Sequence, residues 1–166
     1  PRDSQEQQHR PLGPGHHPML AIIYFDSPAS QLYHRAQVRT ARDLGIELAP
    51  NVVGFSYRDT TKEQIGHFIL ELNQNANVHG IFVHQPLPPQ IDAQWISSII
   101  DPRKDVEGIH PENSARRFFA KARIGSCTAL AVMELIESTS VDLAGKEAVV
   151  VGHSEIVGRP VSMLLL

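Results

Sequence analysis

One segment constrains the class of fold more than any other. Pro18 to Phe25, reading PMLAIIYF, is apolar throughout and has the length of a strand. A strand with one wet face alternates, whereas an unbroken run suits a strand covered on both faces, as in the middle of a parallel sheet flanked by helices. The next segments fit that requirement. Asp26-Ser27-Pro28 forms a turn, with Ser27 placed to cap a helix and Pro28 at its first position. The helix is expected to reach about Leu44 and to end at Gly45. Leu32 or Tyr33, Ala36, Thr40 and Leu44 recur along it at helical spacing, and Tyr33 and Gln37 share a face near its start.

Alternation continues beyond this helix. A second strand is expected within Ile46 to Phe55, centred on Asn51 to Phe55. Thr60 with Glu63 reads as a capping box for a helix whose stripe is Ile65, Phe68, Ile69 and Leu72. Val78 to Val83 is a third strand, and Gln85-Pro86-Leu87-Pro88-Pro89 after it can continue neither a strand nor a helix. Asp92 is placed to cap a short helix through Ile100. From Asp101 to Ser126 the chain is expected to be mostly irregular, followed by a helix from about Thr128 to Ser138. The pattern predicts an α/β fold, a parallel sheet with right-handed crossovers. Ligands in such sheets gather at the carboxyl ends of the strands, which draws attention to the segments beginning at Asp26, His84 and Gly152.

The last stretch, Glu147 to Leu166, reads EAVVVGHSEIVGRPVSMLLL. It is expected to be a strand at Ala148 to Val151, a glycine-bearing turn and a helix start, an arrangement that turns backbone N–H groups toward a phosphate. Its spacing, G-x-S-x-x-x-G, differs from the usual dinucleotide fingerprint, and Ile156 stands where a nucleophile elbow needs its second glycine. An ordinary strand-to-helix turn is the plainer reading of these residues alone.

Composition narrows the ligand. Fifteen Lys and Arg against eighteen Asp and Glu, with no block of one sign, lack the footprint of a nucleic-acid or anionic-membrane binder, so a small molecule is expected. No apolar run approaches the roughly 20 residues of a spanning helix, and a soluble chain is expected. Cys127, the single cysteine, cannot form an internal disulfide, which fits a reducing compartment. Residues 1 to 17 read as a disordered polar lead-in, in which His16 and His17 lack further ligands at metal-binding spacing. No metal is expected. Starting at Pro1 and stopping at Leu166 within an apolar helix, the chain is expected to be cut at both ends.

Several segments in a fixed order now point one way: PASQLY from Pro28, VHGI from Val78, PLP from Pro86, KDVEGIHPEN from Lys104, Cys127-Thr128, DLAGK from Asp142 and VVVGHSEIVGRP from Val149. Together they resemble the methylenetetrahydrofolate dehydrogenase/methenyltetrahydrofolate cyclohydrolase family, over nearly all of Pro18 to Leu166. The resemblance implies a folate-binding α/β domain over residues 18–125. It implies the bridging helix and first strand-turn-helix of a truncated Rossmann-type NAD(P)-binding domain over residues 126–166. It further implies NADP or NAD as cofactor, a folate substrate, and a homodimer when full length. A cytoplasmic location is expected, with a mitochondrial one left open. The implied chemistry is one-carbon folate metabolism: hydride leaves 5,10-methylenetetrahydrofolate for a nicotinamide, and water opens the methenyl product to 10-formyltetrahydrofolate.

Carried over residue by residue, the resemblance keeps some functional positions and changes others. Tyr33 falls on the family's substrate-positioning tyrosine, and Pro86 and Leu87 on its substrate-binding proline turn. Gln37 stands where the family has a lysine that exchanges the proton of the hydrolytic step; an amide cannot do so near neutral pH. His84 aligns with the glutamine that holds that lysine, with Gln85 one place later. Glu107 replaces the aspartate that binds the pterin edge, one methylene longer. In the cofactor turn Gly152, Ser154, Ile156, Gly158 and Arg159 fall on cofactor-binding positions, and His153 replaces an arginine that meets the cofactor phosphate. His153 argues against a strong phosphate clamp, while Arg159 offers charge from the next turn.

Two readings follow, with a third beside them. The enzyme keeps hydride transfer and has weakened hydrolysis, His84 being a substitute base with an ordinary pKa of about 6.5. Or the chain is a non-catalytic relative that binds folate or a nucleotide, or an inactive fragment. Each position also has a plain structural reading: Gln37 a solvated helix residue, His84 a loop histidine, Glu107 a salt-bridge partner of Lys104 or Arg103.

Overall fold

A computed structural model of the chain describes residues 17–50, 54–118 and 125–166, with the side chains of Arg117 and Phe118 left aside. Apart from His17, which is exposed, the expected lead-in lies outside the described residues, as do the first residues of the strand placed at Asn51 to Phe55.

Strand β1 (Met19–Phe25) pairs in parallel with β2 (Glu47–Leu48), β3 (Gly54–Phe55) and β4 (Gly80–Val83). Alternate residues of β1 turn their polar groups to opposite edges. The Pro18 and Leu20 carbonyls accept from Glu47 and Ala49, and Asp26 N–H donates to Phe55, whereas the Met19 and Ile23 carbonyls accept from His79 and His84. On this parity β2 and β3 lie in succession along one edge and β4 takes the other. Ala21, Ile22 and Ile23 are fully buried, so both faces of β1 are covered, as its unbroken apolar run requires.

Helix α1 (Pro28–Asp43) begins and ends as expected: Ser27 Oγ accepts from Ser30 N–H at 3.1 Å, and Gly45 takes φ +68°. The face it buries is different. Ser30 and Ala41 are its buried residues, while Leu32, Tyr33 and Leu44 of the expected apolar stripe are more than half exposed. The helix therefore packs a polar stripe inward, a choice made by what the sheet offers it and not by its hydropathy. Helix α2 (Lys62–Gln74) starts one residue later than expected, because the capping box is made by Thr61 and Gln64; Thr60 hydroxyl donates instead to the Ser56 carbonyl. Its Ile65, Ile69 and Leu72 join Ala21, Ile23, Phe25, Val78, Ile81 and Val83 in the core, with Phe68 packed beside them.

Helix α3 (Ala93–Ile99) is capped by Asp92, which accepts from Trp95 N–H at 2.7 Å. The segment expected to be irregular after Asp101 contains a further helix, α4 (Pro111–Phe118). Pro111 opens it, and Glu112 and Arg116 pair one turn apart on its exposed side, 2.6 Å between charged atoms. Ahead of it, Asp105 is buried and binds back on its own loop: it accepts from Ile109 N–H at 3.3 Å, His110 N–H at 2.8 Å and the Asn113 amide at 2.9 Å. Lys104 Nζ donates at 2.8 Å to the carbonyls of Leu72, Asn73 and Asn75, closing the end of α2. The loop is thus clamped to the core on both sides of its turn.

Helix α5 (Cys127–Ser138) packs against α6 (Gly158–Leu164), and Ser126 hydroxyl donates to the Ile156 carbonyl at 2.6 Å. Between them the expected strand at Ala148 to Val151 is not formed. Val149 and Val151 are 88% and 97% exposed. β-branched residues supply propensity, but a strand needs a neighbour for its backbone groups, and β1 to β4 do not extend to this run.

Removing the clamp tests this account of the loop. Asp105→Ala leaves buried donors unpaired and is expected to cost roughly 2–4 kcal/mol in urea unfolding. A loss within about 0.5 kcal/mol would mean that the loop is not held by this carboxylate.

Candidate functional site

At the carboxyl ends of β1 and β4 the fold assembles a polar cluster lined by aromatic rings. Helix α1 starts beside it, and the spacing of Ser30, His34 and Gln37 sets three polar side chains on the face turned toward the sheet. His84 follows β4 directly, and its backbone N–H donates to the Ile23 carbonyl at 2.8 Å, so the strand ladder itself delivers the imidazole. The ring is 1% exposed. Its Nδ1 lies 2.9 Å from Ser30 Oγ and its Nε2 lies 2.6 Å from Gln37 Oε1. Ser30 and Gln37 thus hold one ring nitrogen each, and a hydroxyl and an amide can each serve there as donor or acceptor.

Rings surround this network. Tyr33 and Phe82 lie 5.0 and 5.5 Å from His84, and Tyr24 stacks on His34 at 4.3 Å. Burial, with His34 nearby as a second cause, pushes the His84 pKa down to about 4. Burial lowers His34 as well, and its Nδ1 is buried without a hydrogen-bond partner among the described residues. Both imidazoles are neutral at pH 7. His84 is therefore not poised near neutrality, as its ordinary value suggested.

Tyr33 and Gln37 meet at His84, as their shared face predicts; Tyr33 is 53% exposed, with its ring on the open side. Pro86 is exposed, and Leu87 is held against the core, its carbonyl accepting from the Tyr57 hydroxyl at 3.1 Å. Sequence reasoning missed His34 and Ser30. The Ser30, His34, Ala41 spacing carried the signal, but it was masked by an apolar stripe that points to solvent.

Glu107 is partly buried, and burial pushes its carboxyl up to about 7; the Asp105 carboxylate adds to the rise, and the Val83 backbone opposes it. The alternative of a salt bridge is not what forms: Lys104 binds helix carbonyls and Arg103 pairs with Asp101 at 2.6 Å. Burial raises the Cys127 thiol too, with Glu107 as the next cause.

The turn before α6 is closed by Ser154, whose Oγ accepts from the N–H groups of Val157 and Gly158 at 3.2 Å. Those are two of the donors expected to face a phosphate, so the helix start is capped from within. Gly152 has φ +112°, and a Cβ on Gly158 would lie 2.3 Å from the Gly152 carbonyl oxygen, so the turn closes on itself too tightly for a side chain at Gly158. Arg159 pairs with Glu155 at 3.2 Å and reaches His153 Nδ1 at 3.3 Å. This turn and the first lobe enclose a pocket of about 350 Å³, with Gln85, Ser97, Pro111, Ile156, Arg159 and Met163 among its walls. Gln85 alone links it to the His84 turn; Tyr33, Gln37, His84 and Glu107 lie outside its lining. Among the described residues no group of three or more His, Cys, Asp or Glu is arranged to hold a metal, and no helix is long and apolar enough to cross a membrane.

Comparison with known proteins gives concordant matches. The family described as tetrahydrofolate dehydrogenase/cyclohydrolase, catalytic domain, matches residues 2–107, and its NAD(P)-binding domain matches residues 126–166. The bifunctional protein FolD of Sphingobium chlorophenolicum is 42% identical over 148 residues, 89% of this chain and 46% of its own length. A 5,10-methylenetetrahydrofolate dehydrogenase from the silkworm Bombyx mori superposes with a TM-score of 0.84 at 36% identity, over 89% of this chain and 50% of that one. The Trypanosoma brucei dehydrogenase-cyclohydrolase, solved with NADP and an inhibitor, gives 0.83 at 33% identity, over 98% of this chain and 53% of that one. The chain spans about half the length of the curated relatives it matches.

The raised carboxyl makes stability depend on pH. A group held above its ordinary 4.5 favours the folded state below that value, and the contribution is lost as pH rises toward about 7. Glu107→Gln is expected to match the parent near pH 4 and to exceed it above pH 7 by on the order of 2 kcal/mol in urea unfolding. A constant difference across that window would show that the carboxyl is not held up. His84 works in the opposite sense, its contribution fading as pH falls from 6.5 toward about 4.

Proposed function

The chain belongs to the tetrahydrofolate dehydrogenase/cyclohydrolase family, and on that premise we propose that it oxidises 5,10-methylenetetrahydrofolate with NADP or NAD and has weakened hydrolysis of the methenyl product. The observation that carries this reading is the Gln37–His84 pair. Hydride transfer mainly needs two rings held face to face, which Tyr33 and the walls of the cleft can support. Hydrolysis needs a group that exchanges a proton near neutral pH. Gln37 cannot, and the His84 ring is buried, bonded at both nitrogens and held near 4. His84 is thus a poor substitute base. Glu107, pushed up to about 7, is the group at this end of the sheet whose protonation changes near neutrality.

A nicotinamide dinucleotide would supply the hydride acceptor, and Gly152, Ser154, Ile156, Gly158 and Arg159 are the residues that would hold it. Gly158 supports that fit indirectly: the Gly152 carbonyl lies 2.3 Å from where its Cβ would stand, so only glycine keeps the tight backbone path that brings these residues together. With two N–H groups already taken by Ser154, Arg159 is left as the principal cation for a phosphate. Dimerisation of the complete protein and a cytoplasmic location belong to the same proposal.

The second reading, a relative that binds without catalysis, draws on the three altered positions Gln37, His84 and Glu107 together. One assay separates the two. The protein is mixed with 5,10-methylenetetrahydrofolate and each nicotinamide in turn, and reduced cofactor and methenyl product are followed separately. Methenyl is expected to accumulate in step with reduced cofactor. Gln37→Lys is expected to raise the second step by about a hundredfold and to leave the first within about twofold. No reduced cofactor with either nucleotide would favour the binding-only reading.

A further inference from the structure

Ser126 stands directly before α5, at the position where serine is among the strongest helix caps. It does not act as one, since its side chain takes no N–H of the first turn. Ser126 is 5% exposed, and its hydroxyl donates instead to the Ile156 carbonyl at 2.6 Å, across 30 positions of the chain. A carbonyl oxygen only accepts, so the direction of this bond is set by its partners.

The receiving end explains the contact. A carbonyl entering a helix is commonly met by the N–H four residues on, and four residues after Ile156 stands Pro160, which has none. The acceptors around it are met from within the segment: the Ser154 carbonyl takes Arg159 N–H at 3.0 Å, and the Val157 carbonyl takes Val161 N–H at 2.9 Å. With Ser154 Oγ also holding the N–H groups of Val157 and Gly158, the turn fixes its own shape. Where that shape sits relative to α5 is a separate matter, and the Ile156 carbonyl is where a side chain of α5's cap position grips it. The next residue reaches the other way: the Cys127 thiol donates at 3.1 Å to the Val106 carbonyl, one residue before Glu107. Two successive residues at the start of α5 thus tie down the turn on one side and the Glu107 loop on the other.

We propose that Ser126 is a positioning residue for the dinucleotide: its hydroxyl pins the Ile156 carbonyl and so holds the Gly152 to Arg159 turn in register with the start of α5. This rests on the reading of that turn as the cofactor site. The division of labour follows from the two ties. Loss of the Ser126 hydroxyl frees the turn that carries Arg159, while the Cys127 contact still holds the loop beside the folate site.

Amide hydrogen exchange and separate ligand titrations test this. In Ser126→Ala the Val157 and Gly158 amides are expected to exchange about tenfold faster while those of α2 keep their rates, and Ser126→Thr, which retains the hydroxyl, is expected to follow wild type. Ser126→Ala is expected to bind NADP or NAD about tenfold more weakly and tetrahydrofolate within about twofold of wild type, with Ser126→Thr restoring the nucleotide affinity. Unchanged exchange in the turn, unchanged nucleotide affinity, or an equal fall in both affinities would overturn the proposal. So would an alanine variant that fails to fold, since the hydroxyl would then support the whole structure and not the placing of one turn. Should the added methyl of threonine prevent folding, the comparison of alanine with wild type decides. Wild type that binds neither nucleotide would remove the cofactor reading, and the exchange rates would still decide whether Ser126 pins the turn.

Discussion

Burial of β1 on both faces is the constraint on which the rest of the structure depends. Each of the other strands pairs with it, and the helices are placed by the need to cover it. Fully burying an isoleucine is worth about 2–3 kcal/mol, and Ile22 and Ile23 point to opposite faces, so layers on both sides are stabilising at once. Because all three ladders are parallel, the ends of β1, β3 and β4 open at the same side, and the chain leaves them by turns rich in functional side chains. The site is a by-product of how the central strand is satisfied.

Among the described residues, that site holds no cation near neutral pH. His34 and His84 are both held below the ordinary histidine range, Gln37 is an amide, and Glu107 is pushed toward neutrality. In a partly buried cluster of aromatic rings, uncharged hydrogen-bonded groups avoid the desolvation that an ammonium would incur. The Gln37–His84 pair keeps a direct hydrogen bond between the two positions while removing the charge. Neither side chain of the pair is suited to exchange a proton near neutral pH, and the proposed weakening of hydrolysis rests on that.

The second lobe follows a different logic. Its turn is closed by its own atoms, with Ser154 capping two N–H groups and Gly158 against the Gly152 carbonyl, so its shape does not depend on a neighbouring strand. The adjoining Ala148 to Val151 run would need one to form a strand, and it forms none among the described residues. Local hydrogen bonds and steric fit act within a few residues, whereas a strand is a property of at least two segments.

The boundary between what was legible and what was not falls along the same line. Ser27 and Asp92 as caps, Gly45 as a stop, the α2 stripe and the double burial of β1 are local or periodic signals, and the sequence by itself determined them. So did the family, through the joint order of its motifs. Only the tertiary structure decided that α1 turns Ser30 and His34 inward and Leu32 outward, since the partner that rewards the polar face, His84, is 54 residues from Ser30. It likewise decided that Thr61 and not Thr60 caps α2, that a helix follows Pro111, and that His84 and Glu107 are displaced from their ordinary pKa values in opposite directions. Burial and hydrogen-bond partners set those outcomes, and neither is carried by any residue alone.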